Sequence, residues 1–321
     1  MKGIELTPEH SVSTLAEYGE RAEVAGFDTI FASAHYNNRD PFVALDRIGR
    51  ATEEIRVGPG VVNPYETHPV SLASRVATLD EATGGRAVFG LGAGDRSTLT
   101  NLGYDRDRPL RRVLEAMKVS KQLWAGERVT HDGTFVARDA GLNYDVGEIP
   151  VYVGAQGPHM LKMSAKHADG VLINASHPAD IEWAAGQIAE GLEARPDDRG
   201  AFDAAAYASV SVAEDREAAR EAARPPVAFI AGGAAPPVLE RHGIDPEAAE
   251  RIGERIGAGA FSEAFGAVTE EMIDAFCIAG TPDEVEKKVA AVLTHVDSIV
   301  LGSPLGPDVE TAIDLAGAVP A

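Results

Sequence analysis

Two carboxylates stand where a barrel enzyme would use them. Glu5 closes the first strand-like run, KGIEL, and Asp95 directly follows FGLGAG at the end of the fourth. A carboxylate inside a barrel mouth is partly desolvated, which raises its pKa and suits it to general-acid work. The other reading of Glu5 is an outward-facing strand residue. Asp95 reads either as a carboxylate presented to a ligand or as the N-cap of a helix beginning near Ser97-Thr98, and one residue can do both. His35 (ASAHYNN) and His68 (YETHP) are the histidines near such strand ends, but none of the nine histidines forms an H-x-x-H or H-E-x-x-H pair. No metal site is therefore expected. No G-x-S-x-G occurs, so serine hydrolysis is disfavoured. Cys277, alone in AFCIAGTP, reads as a small packing residue rather than a nucleophile.

Two glycine-rich segments carry a second kind of signal. VGPGVVNPY (57–65) places two glycines and a proline in what is otherwise a strand, which an uninterrupted ladder does not favour. It predicts a bulge or distorted backbone of the sort found at ligand sites. GAQGPHMLK sets glycines and Pro158 at a helix start after the fifth strand, where free N–H groups and the helix dipole attract phosphate. It also reads as a plain strand-to-helix turn.

The elements that must position these residues share one grammar. Short runs rich in Val, Ile and Leu end repeatedly in Gly, Ala, Ser, Asn or Pro, the pattern of buried parallel strands closing on tight turns. Eight strands are expected: 2–6, 27–33, 55–62, 86–92, 149–154, 169–174, 206–212 and 297–302. Between them lie amphipathic stretches with legible ends. Gly26 and Gly84-Gly85 are helix stops, Pro69 is a helix start, and Thr281-Pro282 with Glu284 is a capping box. Eight strands alternating with helices over 321 residues indicate an α/β chain folded as a single (β/α)8 TIM barrel. A doubly wound sheet is the alternative. Residues 126–148 read as a hairpin-bearing excursion. Residues 224–276 read as a long helical insertion before the last strand, over the barrel mouth.

Composition bounds the partners. No 18-residue apolar stretch spans a membrane. Fifty acidic against 29 basic side chains give a net charge of −21, which repels nucleic acid and anionic membranes. A single cysteine and no apolar leader fit a reducing cytoplasm.

In order and spacing, IELTPEH, HYNN, VGPGVVNPY, TLDEATGGRA, LGAGDRST, VYVGAQGPHMLK, LINASHP, VAFIAGGAAPPVLERHG and GSPLGPD resemble the coenzyme F420-dependent 5,10-methylenetetrahydromethanopterin reductases of the bacterial-luciferase-like superfamily. The resemblance runs nearly end to end. It implies a deazaflavin, coenzyme F420, in the C-terminal mouth of the barrel, with FMN the lesser alternative. It further implies a non-prolyl cis peptide at Gly60–Val61 behind the ring, with Asn63 beside it. Ala93 and Gly94 should lie along the ring, and Asn174, Ala175 and Ser176 should line the pocket. Gly154, Ala155, Gln156 and Gly157 should hold the phosphate side through backbone N–H groups. Where relatives carry Asp or Glu before the histidine of HYNN, this chain has Ala34, so backbone at Ser33–Ala34 or the His35 side chain should replace that contact. The implied reaction is hydride transfer to a 5,10-methylene-tetrahydropterin, methanopterin or folate. Glu5 would protonate the departing nitrogen, and Asp95 would tune the deazaflavin. The alternatives are an F420-dependent alcohol or sugar-phosphate dehydrogenase with His35 as base, an FMN-dependent monooxygenase, or a non-catalytic cofactor binder. The last is disfavoured because Glu5 and Asp95 are both present. A homo-oligomer, dimer or tetramer, is expected.

The acidic excess has a consequence of its own. If it is an adaptation to concentrated salt, where screening removes self-repulsion, the thermal unfolding midpoint should rise between low and molar KCl. A midpoint that does not move removes the halophilic reading.

Overall fold

A computed structural model describes residues 1–320. Its elements run β1 (Lys2–Leu6), α1 (Val12–Val24), β2 (Thr29–Ala32), α2 (Pro41–Ala51), β3 (Arg56–Pro59), α3 (Pro69–Ala82), β4 (Phe89–Leu91), α4 (Arg96–Asn101), α5 (Pro109–Trp124), β5 (Val129–Asp132), β6 (Val136–Ala140), β7 (Val151–Ala155), α6 (Pro158–His167), β8 (Gly170–Asn174), α7 (Pro178–Leu192), β9 (Asp203–Val212), α8 (Arg216–Gly233), α9 (Pro236–Arg241), α10 (Pro246–Gly257), α11 (Phe261–Gly266), α12 (Glu270–Phe276), β10 (Ile278–Gly280), α13 (Pro282–Leu293), β11 (Ser298–Leu305) and α14 (Val309–Ala318). Eight parallel strands alternating with helices make the (β/α)8 barrel. Helix ends follow local chemistry. Ser11 accepts from the Thr14 N–H at 3.1 Å to open α1, and Gly26 stops it at φ +84°. Glu284 accepts from the Thr281 N–H at 3.0 Å to open α13. Among the described residues no helix is long and apolar enough to cross a bilayer, and no cluster of three His, Cys, Asp or Glu could hold a metal.

The chain forms two compact units. In the first, residues 3–172 and 186–204, the strands run β1-β2-β3 and β4-β7-β8, with β3 and β4 joined only at the bridges Val57–Ala87 and Val62–Leu91. Glu5, Phe31 and Gly58 share one register row. Phe31 on β2 meets Tyr152 on β7 edge to face, 6.5 Å between centroids. Those strands are not sheet neighbours, so both rings project into the barrel interior, and so does everything in their rows. The expected strand 55–62 is interrupted. It pairs as a strand to Pro59, leaves the ladder, and rejoins at Val62, whose N–H donates to the Gly90 carbonyl at 3.0 Å. The cause is proximity. A Cβ on Gly58 would stand 2.2 Å from the Val88 carbonyl oxygen, and one on Gly90 would stand 1.9 Å from that of Pro59. The excursion at 126–148 holds the antiparallel hairpin β5–β6.

The second unit comprises Met1–Lys2, Ile173–Ala185 and the chain from Ala205 on. There β9 pairs in parallel with β11 and with the short β10, a strand the sequence pattern did not mark. The helical run expected from 224 begins already at Arg216, and α8 continues through Pro225 and Pro226. Helices α8 to α12 enclose their own apolar core, with Val227, Ile252, Ile273 and Phe276 among its buried residues. A cis peptide precedes Pro304.

Backbone crowding separates two kinds of glycine. Gly90→Ala should cost about 1–3 kcal/mol or more, because a carbonyl oxygen cannot turn aside as a side chain can. Gly186 in α7 has nothing within 4 Å of its Cβ position, so Gly186→Ala should stabilise by up to about 1 kcal/mol through helix propensity. Urea midpoints of the two variants would check both signs.

Candidate active site

Register settles which way Glu5 faces. It lies in the interior row of Phe31, and its neighbours Ile4 and Leu6, on the opposite face, are buried. A half-buried carboxyl therefore stands inside the barrel at the end of β1. Asp95 has a different environment. It is exposed and N-caps α4. Its Oδ1 accepts from Ser97 Oγ at 2.6 Å and from the Thr98 N–H at 2.8 Å. Burial pushes its pKa up, but these hydrogen bonds outweigh that and hold the carboxyl below the usual range. Asp95 is thus an anion at neutral pH, able to stabilise charge or accept a proton rather than to donate one.

The Gly60–Val61 peptide is cis, as expected. The Val61 side chain explains the glycines around it. A Cβ on Gly92 would lie 2.5 Å from Val61 Cγ2, one on Gly90 3.2 Å from Cγ1, and one on Gly154 3.1 Å from Cγ2. Gly90 shares the register row of Tyr152, and Gly154 stands two residues further along the same face of β7, so β4 and β7 leave a socket in the barrel and Val61 fills it. Gly94, at φ +72°, closes against Asn63 and Leu99. The Ala93 carbonyl accepts from Arg106 Nε at 3.1 Å. The Asn63 amide is taken up by its own turn, accepting from the Tyr65 and Glu66 N–H groups at 3.0 and 3.1 Å and donating to Glu66.

At the end of β2, Ser33 Oγ is buried with no hydrogen-bond partner. Ala34, His35 and Asn63 line a cavity of about 260 Å3 with Phe42 and Arg75. The exposed His35 ring stacks on Tyr36 with 4.5 Å between centroids, and its Nδ1 accepts from the Asn37 N–H at 3.2 Å. Ala155, the last residue of β7, is buried, while Gln156 and Gly157 beyond it are exposed. No side chain caps α6, whose N-cap is Gly157, and a Cβ on Gly157 would meet nothing. That first turn offers N–H groups to an anion.

In the second unit, Asn174 is exposed at the end of β8 and Ala175 half-buried. Ser176 is buried and spends its Oγ on the Ser209 N–H at 2.9 Å. In the first unit, His68 N-caps α3 and bonds the Val136 carbonyl at 3.0 Å. Burial pushes the Cys277 thiol up to about 12, so it is inert as a nucleophile. Sequence reasoning missed Arg106, which stands in a polar loop thirteen residues beyond its partner, where no periodic pattern marks it.

Residues 2–296 match the family described as luciferase-like monooxygenase, which makes the chain a luciferase-like barrel protein. Over 98% of its length it is 44% identical to 5,10-methylenetetrahydromethanopterin reductase of Archaeoglobus fulgidus, of which 97% is covered. It is 43% identical to the enzyme of Methanolobus tindarius, with 98% of each chain covered. The solved F420-dependent tetrahydromethanopterin reductase of Methanopyrus kandleri superimposes with a TM-score of 0.92 at 41% identity, covering 99% of this chain and 97% of that one. The chain belongs to the methylenetetrahydromethanopterin reductase family, and it is an oxidoreductase.

The socket is directly testable. Gly92→Ala should destabilise by about 1–3 kcal/mol through overpacking against Val61. Adding Val61→Ala should recover at least half of that loss. Denaturation of both single variants and the double variant closes the cycle, and simple additivity would show that the two side chains do not compete for one space.

Proposed function

We propose that the chain uses coenzyme F420 to reduce a 5,10-methylene-tetrahydropterin to its 5-methyl form. The observation that carries this reading is the 41–44% identity to reductases of that name over 98% of the chain. The residues present fit the cofactor. Ser33 Oγ is an orphaned hydroxyl at the end of β2, beside the Ala34 whose side chain cannot supply the contact expected there. The uncapped start of α6 suits a phosphate. Ala93 and Gly94 give a small-residue wall, with Arg106 fixing its carbonyl, and Asn174 and Ala175 belong to the same reading.

The bound deazaflavin supplies the hydride. The chain's part is to orient, exclude water and manage the proton. Opening the methylene bridge leaves an iminium carbon and a nitrogen that must gain a proton. Glu5, inside the barrel and half-buried, is the donor. Asp95, kept ionised by its cap bonds, steadies charge beside the cofactor. Alcohol or sugar-phosphate oxidation would ask His35 to act as base, but its ring is exposed and its Nδ1 is already engaged. The single cysteine and the net charge of −21 support a cytoplasmic, salt-adapted protein, and we take it to be a homo-oligomer.

Anaerobic turnover with reduced F420 and each methylene-pterin, tetrahydromethanopterin and tetrahydrofolate, in high salt tests the reaction. Glu5→Gln should lower the rate by about 10²–10⁴ with cofactor affinity unchanged. Asp95→Asn keeps a competent helix cap and should change deazaflavin affinity as well as rate. Near-wild-type turnover in Glu5→Gln would pass the proton to another donor.

A further inference from the structure

A larger cavity, of about 670 Å3, opens at the other end of the first unit's strands, and Arg56, Lys121, Glu148, Asp169 and Arg199 line it. All five residues belong to the first unit. Arg56 is the first residue of β3, Glu148 stands three residues before β7, and Asp169 directly precedes β8. The cavity therefore lies at the N-terminal ends of parallel strands. Gly60, Ala93 and Gly157 lie past the opposite ends of β3, β4 and β7. The five residues of β7 alone separate the two ends by about 13 Å.

The charge of this cavity runs against that of the chain. The net charge is −21, but three cations and two acids line this space. One acid is already spent, since Asp169 accepts from Lys121 Nζ at 2.7 Å and from the Val151 N–H at 2.8 Å. Among the described residues neither Arg56 nor Arg199 is ion-paired, and Arg199 gives one nitrogen to the His167 carbonyl at 2.7 Å. The turn that carries Arg199 is fixed by Arg195. That side chain donates to the Ala165 and Ala168 carbonyls at 2.8 Å and to the Arg199 carbonyl at 3.2 Å. The N–H groups of Val146, Gly147 and Glu148, which line the same cavity, have no acceptor among the described residues. The positive potential also reaches His167, which is pushed down to about 4, by burial first and then by Lys118, Arg199, Lys166 and Arg195.

Guanidiniums without carboxylate partners match the oxygens of a phosphate, which arginine can hold through two parallel hydrogen bonds. The volume lies within the ~300–1,000 Å3 of small-molecule sites. We propose that this cavity is a second ligand site, at the N-terminal end of the barrel, for a small phosphate-bearing anion. Arg56 and Arg199 hold the phosphate, and Glu148, the acid without a partner, opposes it. Because such a ligand binds the folded chain and not the unfolded one, occupancy stabilises the fold.

The test uses the full chain in excess F420 and at fixed ionic strength. Unfolding midpoints and calorimetric titrations are recorded with inorganic phosphate and with ribose 5-phosphate, in wild type, Arg56→Gln and Glu148→Gln. Both side chains are exposed, so both variants should fold. Phosphate or its ester should raise the wild-type midpoint saturably. Arg56→Gln should weaken binding about tenfold or more, the loss of a charge-assisted contact. Glu148→Gln should tighten it about two- to fivefold by removing a like charge. F420 affinity should stay within about twofold of wild type in both variants. Tighter binding of ribose 5-phosphate assigns an organic ester as the occupant, and equal binding assigns the free ion. A wild-type midpoint that responds to neither probe, or a response unchanged in Arg56→Gln, overturns the site and leaves the reductase reading untouched.

Discussion

The close approach of β3 to β4 is the constraint on which the first unit depends. Two carbonyl oxygens, of Val88 and Pro59, occupy the space where Cβ atoms of Gly58 and Gly90 would be. Only glycine permits that spacing. Because the strands meet there without a regular ladder, the chain between Pro59 and Val62 leaves the sheet, and Val61 turns its side chain into the barrel. Gly92 and Gly154 then become necessary in turn, as the walls of the space that side chain occupies. One packing decision thus explains four glycines on three strands.

The two carboxylates stand in different environments. Glu5 is placed by register in a half-buried interior row. Asp95 is placed by a helix start, where a hydroxyl and an N–H favour the anion. Arg106 donates to the Ala93 carbonyl and so helps fix the direction of that peptide group.

The second unit follows another logic. Its helices enclose an apolar core of their own, so the excursion between β9 and β11 is not a loose loop but a packed body. Asp180 ties α7 to the end of α9 through Arg241 and His242, and the His177 ring packs against that of His242. Ser176, Ser209 and the Ser303 carbonyl form a second polar chain, with Ser209 Oγ donating to Ser303 at 2.6 Å. Polar groups that are buried and satisfied in this way specify one arrangement of loops more firmly than apolar contacts do.

Much was legible in the chain itself. Apolar periodicity, helix stops at Gly26 and Gly84-Gly85 and the Thr281 capping box are local signals, read over a few residues, and they determined the alternation of strands and helices and hence the barrel. The odd composition of VGPGVVNPY marked a backbone departure at the right place. Strand limits were less legible, since 55–62 pairs only to Pro59 and 206–212 extends back to Asp203. Where a strand ends depends on its neighbour. The interior direction of Glu5, the socket beneath Val61, the engagement of Asn63 in its own turn and of Ser176 with β9, and the cluster of Asp180, Arg241 and His242 were decided only in three dimensions. Asp180 and His242 are 62 residues apart, and no periodicity along the chain records which distant segment will be packed against which. A sequence states what each residue can do, and tertiary packing chooses among those capacities by deciding which atoms share a space and which remain without a partner.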